Sequence, residues 1–327
     1  MVTQMNSEFF DRLRERVIQA GERGMYVSVM LFEGYGLQFC RLPDDGFPFD
    51  EGNNINGISA PGASAHTLDD PDRLAFQEAY VAHVIDTIND LDNVLYEVAN
   101  EDGGGSLDWH LHWIDFIRSY EGTLPKQHPI GMTFRHRDGT NAELFDSAAD
   151  WISPNQEGGY RDNPPAADGS KVVLSDTDHL WGIGGSQTWV WRSFLRGLNP
   201  IYMDPYSDES DESIRHAMGY TRSFAERMDL ASMVPRNDLS STSYCLAAPG
   251  SEYLVYMPEG GNVTIDLSDA SGELAVEWFD PSAGESHAGD AVAGGGSTDL
   301  SSHSRGAASL CQLGLRTPVV CGLKVVV

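Results

Sequence analysis

The residues of this chain best suited to do chemistry are carboxylic acids that directly follow short apolar runs. Asn100 and Glu101 end the apolar stretch 93–99 and are followed, after one residue, by three glycines. A second polar group, residues 176–179 (Asp-Thr-Asp-His), follows the stretch 171–175. A buried strand that carries an acid to a glycine-rich edge is typical of catalytic groups in parallel α/β proteins. Glu101 could donate or accept a proton there, and a solvated strand end is the alternative.

The elements that position these acids alternate between strand and helix. Apolar runs typical of strands begin near residues 25, 94, 130, 151, 171 and 200, with helical spacing of apolar residues between them. This alternation predicts right-handed βαβ units and a parallel sheet of six strands. Beyond about residue 235, short runs separated by Gly-rich turns predict a small antiparallel β-sandwich. The predicted domains are therefore 1–235, which is α/β, and 236–327.

A long segment, residues 33–70, separates the first two predicted strands. It is rich in Gly, Pro, Asn and Asp, and loops of this length in compact domains are usually functional or disordered. Phe49 and His66 lie within it and indicate an ordered lid.

The composition excludes several classes of partner. The net charge is −28, and only three of the 327 residues are lysines. Such a surface repels phosphate backbones and anionic lipids, so we expect no nucleic-acid partner and no membrane partner. Four scattered cysteines form neither a zinc pattern nor a disulfide framework. Excess acid with scarce lysine is typical of proteins from high-salt organisms, and an ordinary acidic protein is the alternative.

The C-terminal stretch 300–327 differs from the rest of the chain. It contains no Asp or Glu, yet it holds two of the four cysteines and one of the three lysines. Our hypothesis is that this tail is not the native end of the β domain and arises from a shift of reading frame.

The sequence Tyr-Glu-Val-Ala-Asn-Glu at residues 96–101 resembles the fourth-strand motif of the clan A glycoside hydrolases. That resemblance implies that Glu101 is the acid/base and that a second carboxylate ends the seventh strand. Asp176 takes the second position, as the nucleophile, although the clan ordinarily has Glu there. Asp178 remains a rival for this role.

Nearly the whole chain is similar to the apiosidase-like, DUF4038-type glycoside hydrolases, notably segments 93–101, 175–185, 189–206 and 253–280. The resemblance implies a (β/α)8 TIM barrel followed by a collagen-binding-type β domain. It also implies sugar-cleaving activity. Our interpretation is that the chain needs no cofactor and cleaves O-glycosidic bonds of a carbohydrate substrate, a plant or algal polysaccharide, by a retaining mechanism. Members are often extracellular.

Counting strands from the motif reveals a gap. If Glu101 ends strand four and Asp176 ends strand seven, the first strand of this chain is strand three. A closed barrel needs all eight strands to satisfy its edges. We therefore expect a TIM barrel that lacks its first two strands, with six strands present. The alternative function is an inactive truncated barrel that serves as a carbohydrate-binding or structural remnant.

Further polar and aromatic side chains lie near the predicted strand ends and are expected to contact the sugar. They are Asn100, Asp178, His179, Trp181, Trp109, His110, Asp204 and Tyr206. Core packing is the alternative for Trp109, which lies on a predicted helix. A metal site at residues 176–179 is a weaker alternative, because the chain has no second ligand cluster with clear spacing. We predict no metal.

Overall fold

The computed structural model describes residues 4–36, 48–49, 53–60, 62–206, 211–305 and 308–315. They divide into two compact units, one within residues 1–157 and 169–174, the other within 158–168 and 175–327. The predicted boundary at residue 235 stays a prediction. Among the described residues, no helix is both long and apolar enough to cross a membrane.

The described residues contain seven α-helices, which alternate with the first strands as the sequence predicts. They are α1 Ser7–Gly21, α2 Pro71–Ile88, α3 Leu107–Glu121, α4 Asn141–Asp146, α5 Thr177–Leu180, α6 Gln187–Leu195 and α7 Glu212–Arg227. A 3-10 helix, Gly62–His66, precedes α2.

Several helices begin at a polar side chain that accepts a hydrogen bond from a first-turn backbone N–H. Asp70 caps α2, and Pro71 occupies the first helical position, where its missing N–H has no cost. Ser106 caps α3 in the same way. Asn6 caps α1, and its side chain accepts a hydrogen bond from the backbone N–H of Glu8.

The predicted parallel sheet of six strands is confirmed. Its strands lie in chain order, each hydrogen-bonded to the next, and the ladders from β1 to β5 are parallel. The strands are β1 Val27–Glu33, β2 Val94–Asn100, β3 Ile130–Thr133, β4 Trp151–Ser153, β5 Val172–Asp176 and β6 Asn199–Ile201. Within the described residues β1 and β6 are the end strands, and barrel closure stays a prediction.

The second unit contains the β domain, built from a six-stranded antiparallel sheet and a two-stranded ribbon. Apolar side chains of the sheet and the ribbon share one buried cluster, as in a two-layer sandwich. The strands are β7 Val234–Pro235, β8 Cys245–Ala248, β9 Glu252–Met257, β10 Gly260–Asp266, β11 Glu273–Asp280, β12 Glu285–Ala293, β13 Ser297–Arg305 and β14 Ser309–Leu315. The ribbon consists of β10 and β13.

The hypothesis that the tail from Leu300 arises from a shift of reading frame stays a prediction, but the described part of that tail is integral to the β domain. Strand β14 lies between β11 and β9 and pairs with both. Leu310, Cys311 and Leu313 on β14 are buried, so they contribute to the core of the sandwich. The absence of acidic residues suits this position, because a central strand with neighbours on both edges is largely buried. Residues 316–327 lie outside the described residues.

Glu121 and His128 form a buried ion pair in the first unit. Nδ1 of His128 donates to Oε1 of Glu121 over 2.7 Å, and Nε2 donates to the carbonyl oxygen of Leu91 over 2.7 Å. Because both partners are acceptors, both ring nitrogens carry protons and His128 is a cation. Burial alone would lower the pKa of His128, but the hydrogen bonds to Glu121 and Leu91 outweigh it, so the pKa is raised.

Replacing His128 with Gln should destabilise the protein most at low pH. A group whose pKa is raised by folding stabilises the fold below its unfolded pKa and loses that contribution as the pH rises through its folded pKa. We expect a free energy of unfolding about 1.5–3 kcal/mol below that of the wild type under mildly acidic conditions, the size of a charged hydrogen bond. The deficit should shrink under mildly alkaline conditions, as measured by urea unfolding.

In a Glu121→Gln background, His128→Gln should show no such pH dependence, because the partner carboxylate is absent. An equal deficit at both pH values in the protein that keeps Glu121 would contradict the cationic state of His128.

Candidate active site

Glu101 lies directly after β2, at the edge where the strand leaves the sheet. The strand is apolar and its residues 96–99 are buried, so the backbone up to Asn100 is fixed by packing and by the ladder with β1. Glu101 itself is half-buried, and its Oε2 atom is shielded from solvent. Its φ of 46° lies in the left-handed region. That conformation costs a non-glycine residue on the order of 1 kcal/mol, so the surroundings must hold it.

Gly34, just beyond β1, packs against the turn that contains Glu101. Its backbone N–H donates to the carbonyl oxygen of Asn100 over 2.8 Å. A Cβ at position 34 would lie 2.4 Å from the carbonyl oxygen of Glu101 and 2.5 Å from the Cα of Asp102. Only glycine therefore allows this close approach of two backbone segments.

Asp102 follows Glu101 and is held between two histidines. Its Oδ1 lies 2.9 Å from Nδ1 of His66, and its Oδ2 lies 2.8 Å from Nε2 of His110. The three residues are at most 2% exposed. His66 ends the 3-10 helix of the predicted lid, and His110 lies in the first turn of α3. The network therefore joins the turn after β2 to two other elements of the first unit.

The protonation of this network follows from its contacts. Burial alone would raise the pKa of Asp102, but hydrogen bonds from His110 and His66 lower it well below its ordinary range. Burial lowers the pKa of His110. Its Nδ1 is buried and has no hydrogen-bond partner in the described structure, which fits an unprotonated nitrogen. Asp102 is thus a carboxylate, and a neutral His110 donates to it through Nε2.

Trp109 and His110 were predicted to contact substrate, and the structure buries both completely. The Trp109 ring stacks on the ring of His66, with centroids 4.3 Å apart and planes 14° apart. Its Nε1 donates to Oε1 of Gln77 over 3.2 Å. These contacts fit the packing alternative for Trp109 and give His110 a supporting position beside Asp102, with no exposed face for a sugar.

In the second unit, Asp176 is the last residue of β5 and caps α5. Its Oδ1 accepts a hydrogen bond from the backbone N–H of Asp178 over 2.9 Å. Burial raises the pKa of Asp176, and that single hydrogen bond only partly offsets it. Burial likewise raises the pKa of Asp178, which His179 lowers and Asp176 raises. Asp176, Asp178 and His179 are all half-buried and lie within four consecutive residues.

Trp181 follows the same acidic group and is half-buried. Its ring meets the ring of Trp189 edge to face, with centroids 5.4 Å apart. The guanidinium of Arg161 lies 5.4 Å from the centre of the Trp181 ring. The side chain is therefore held by aromatic and cation–π contacts and keeps part of its surface open to solvent.

Asp204 and Tyr206 follow β6 in the second unit. Arg215 on α7 holds the carboxylate of Asp204 through Nε and Nη2, at 2.5 and 2.8 Å. Tyr206 is 87% exposed, and its backbone has a φ of 50°. Its N–H donates to Oδ1 of Asp204 over 2.9 Å. Asp204 thus supports the turn, whereas Tyr206 offers an exposed ring.

The sequence-based predictions missed His66, Asp102 and Arg215 as parts of these sites. Asp102 is adjacent to Glu101, but nothing in the spacing of His66 and His110 indicates that both contact it. Among the residues that the structure describes, no three His, Cys, Asp or Glu side chains are arranged to hold a metal ion.

Comparisons with known proteins bear on both units. Residues 231–308 match a family described as "Putative collagen-binding domain of a collagenase". A family 5 glycoside hydrolase from Bacteroides vulgatus superposes with a TM-score of 0.64 at 14% identity, over 94% of this chain and 74% of that protein. The chain has the fold of a glycoside hydrolase. No curated protein shows significant sequence similarity to it.

Two further structures support this glycoside-hydrolase-like fold. One, described as a glycoside hydrolase, has a TM-score of 0.57 at 13% identity, over 95% of this chain and 89% of that protein. The other is a noncanonic maltogenic alpha-amylase from Thermotoga neapolitana, with a TM-score of 0.50 at 11% identity, over 93% and 81% of the two chains. At these identities the similarity establishes a barrel-like α/β fold with a following β domain.

Gly34→Ala should destabilise the protein, because the added methyl group meets backbone atoms at 2.4–2.6 Å. We expect a loss of about 1–3 kcal/mol in the free energy of unfolding, as for other overpacked sites. Urea unfolding followed by circular dichroism measures the loss.

The matched control is Gly219→Ala on α7, where an added Cβ meets nothing within 4 Å. That change should raise stability by up to about 1 kcal/mol, the helix preference of Ala over Gly. Equal stability of Gly34→Ala and wild type would argue against the close approach at Gly34.

Proposed function

We propose that this protein is a retaining glycoside hydrolase in which Glu101 is the acid/base and Asp176 is the nucleophile. The observation that carries the proposal is the placement of Glu101 at the end of a buried parallel strand, in a left-handed turn, within a fold shared with glycoside hydrolases. Asp176 ends β5, three strands further along the same sheet order. Catalytic residues of barrel enzymes come from such carboxyl ends of different strands.

The proposed reaction has two steps. The Asp176 carboxylate attacks the anomeric carbon while Glu101 protonates the departing oxygen, which yields a glycosyl ester on Asp176 and a free alcohol. Glu101, now a carboxylate, removes a proton from water, and that water releases the sugar and restores Asp176. This chemistry requires the two carboxyl groups about 5–5.5 Å apart. Asp178 is the rival nucleophile, since it shares the polar group after β5.

The finer assignment rests on the resemblance to the apiosidase-like, DUF4038-type hydrolases. We extend the proposal to a plant or algal polysaccharide as the substrate, and to an extracellular location because members of that group are often secreted. Asn100, His179, Trp181 and Tyr206 are the side chains we assign to sugar binding. Tyr206 suits stacking on a sugar ring because its ring is exposed, and Trp181 because part of its surface is open.

The roles of the two acids can be separated with aryl glycosides. Glu101→Gln should slow cleavage of phenyl glycosides, whose leaving group needs a proton, on the order of 10²-fold or more, the usual contribution of general acid catalysis. It should slow the first step for 2,4-dinitrophenyl glycosides far less. Asp176→Ala should abolish turnover of both classes of glycoside. Added azide should restore cleavage and yield a glycosyl azide of inverted anomeric configuration. Initial rates and product analysis measure these effects.

Asp178→Ala is the matched control, because it removes a neighbouring half-buried carboxylate of the same group. It should keep turnover without azide. Azide rescue of Asp178→Ala instead of Asp176→Ala would move the nucleophile to Asp178. Full activity in both Glu101→Gln and Asp176→Ala, each folded by circular dichroism, would refute the proposal.

The pH dependence of kcat/KM should reflect the raised pKa of Asp176. A nucleophile must be ionised, so kcat/KM should fall as the pH drops through the pKa of Asp176. Burial raises that pKa above its ordinary value of 3.8, and the acid limb of the profile should therefore lie above pH 3.8. A limb at or below that value, in protein that remains folded, would argue against Asp176 in this role.

A second candidate function is that of a carbohydrate-binding or structural remnant. The observation that favours it is that β1 and β6 are end strands within the described residues, whereas a closed barrel has no end strands. Retention on insoluble polysaccharide without release of sugar would support this function, and turnover of any glycoside would exclude it.

A further inference from the structure

The turn after β2 is fixed on both sides of Glu101. On one side the carbonyl oxygen of Asn100 accepts from Gly34, and on the other the carboxylate of Asp102 is bound by His66 and His110. Between these anchors Glu101 has a φ of 46°. Extended backbone is the lower-energy alternative for a Glu at this position, and adopting it would redirect the side chain.

The carboxylate of Asp102 also has no room to move. A Cβ at Gly105 would lie 1.8 Å from its Oδ2, so the backbone of the following loop is closed around it. Nη1 of Arg135 donates to the carbonyl oxygen of Gly105 over 2.8 Å, which fixes this loop in turn. The backbone N–H of Ser106 donates to the carbonyl oxygen of His66 over 2.9 Å. His66 and the loop at Gly105 are thus held by contacts of their own.

We propose that Asp102 is a positioning residue, which acts through its hydrogen bonds from His66 and His110 to hold Glu101 in the left-handed conformation that acid/base catalysis requires. The inference rests on the proposed function of Glu101. The two histidines contribute donors at defined atoms, Nδ1 of His66 and Nε2 of His110. Loss of either donor should loosen the turn, whereas an amide in the same place should preserve it.

The test compares two leaving groups in the full chain. Asp102→Asn should lower kcat/KM for phenyl glycosides, which reports the first step, on the order of 10²-fold, the effect of a small misplacement of a catalytic group. It should lower kcat/KM for 2,4-dinitrophenyl glycosides much less, since their leaving group needs no proton and the binding contacts are retained. The probes are both aryl glycosides of glucose, galactose, xylose and arabinose. A general loss of folded protein would lower both rates equally.

Glu121→Gln is the matched control. Glu121 is as buried as Asp102, at 1% exposure each, and it also binds a histidine, but it lies at the end of α3 and takes no part in the proposed site. This variant should lose stability without any change in the ratio of kcat/KM for phenyl glycosides to kcat/KM for 2,4-dinitrophenyl glycosides.

Conservative replacements of the histidines provide a second arm. His66→Asn places an amide N–H near the position of Nδ1, and His110→Gln places one near Nε2, so both should keep the ratio of the rates close to that of the wild type. His66→Leu and His110→Leu remove the donors and should change the ratio as Asp102→Asn does. Equal behaviour of the amide and leucine variants would overturn the inference.

Two outcomes separate this inference from the proposed function. If Glu101→Gln changes the ratio of the rates and Asp102→Asn does not, the inference fails and the function stands. If the wild type cleaves neither class of glycoside, the proposed function is refuted, and the catalytic role inferred for Asp102 is refuted as well. A crystal structure of Asp102→Asn gives an answer independent of activity: an unchanged φ and side-chain position at Glu101 would overturn the inference.

Discussion

The contact on which the first unit's site depends is the buried carboxylate of Asp102 between two imidazoles. A carboxylate that is 1% exposed would be costly without partners, and each of its oxygens has one within 2.9 Å. The same contacts join β2, α3 and the 3-10 helix of the long loop at one point. Because that point is next to Glu101, the stability of the network and the conformation of the candidate acid are physically linked.

Asp102 and Asp176 are both aspartates, but their surroundings give the two carboxyl groups different roles. Asp102 receives hydrogen bonds from two histidines, which keep its pKa low despite burial, so it serves as a fixed charge. Asp176 is half-buried with one backbone donor, and burial raises its pKa. A carboxyl group that is partly open to solvent and has few fixed donors can take part in a reaction once it is ionised, whereas an enclosed carboxylate with both oxygens bound supports its neighbours.

The β domain shows how sheet order decides the role of a segment. The last described strand, β14, lies in the middle of the six-stranded sheet, between β11 and β9. Both of its edges are paired, and Cys311 belongs to the same buried cluster as Cys245 and Trp278. A segment without acidic residues suits that position, because a charged side chain facing the core would have no partner.

The sequence by itself determined the six parallel strands, the order of the helices and the position of Glu101 and Asp176 after buried strands. These follow from apolar runs, from helical spacing and from capping residues such as Asp70, all of which act between near neighbours in the chain. It did not determine the placement of β14, the ion pair of Asp204 with Arg215, or the burial of Trp109. Each of these depends on which surfaces meet after folding.

The network around Asp102 shows most directly the difference between what local sequence determines and what packing determines. Asp102 is adjacent to Glu101, but His66 lies in a 3-10 helix 36 residues before Asp102, and nothing in its spacing indicates that partner. Only the tertiary structure brought His66 and His110 to the two oxygens of one carboxylate. The physical reason is that hydrogen bonds between distant residues form where packing places them, whereas strands and helices form where local sequence allows them.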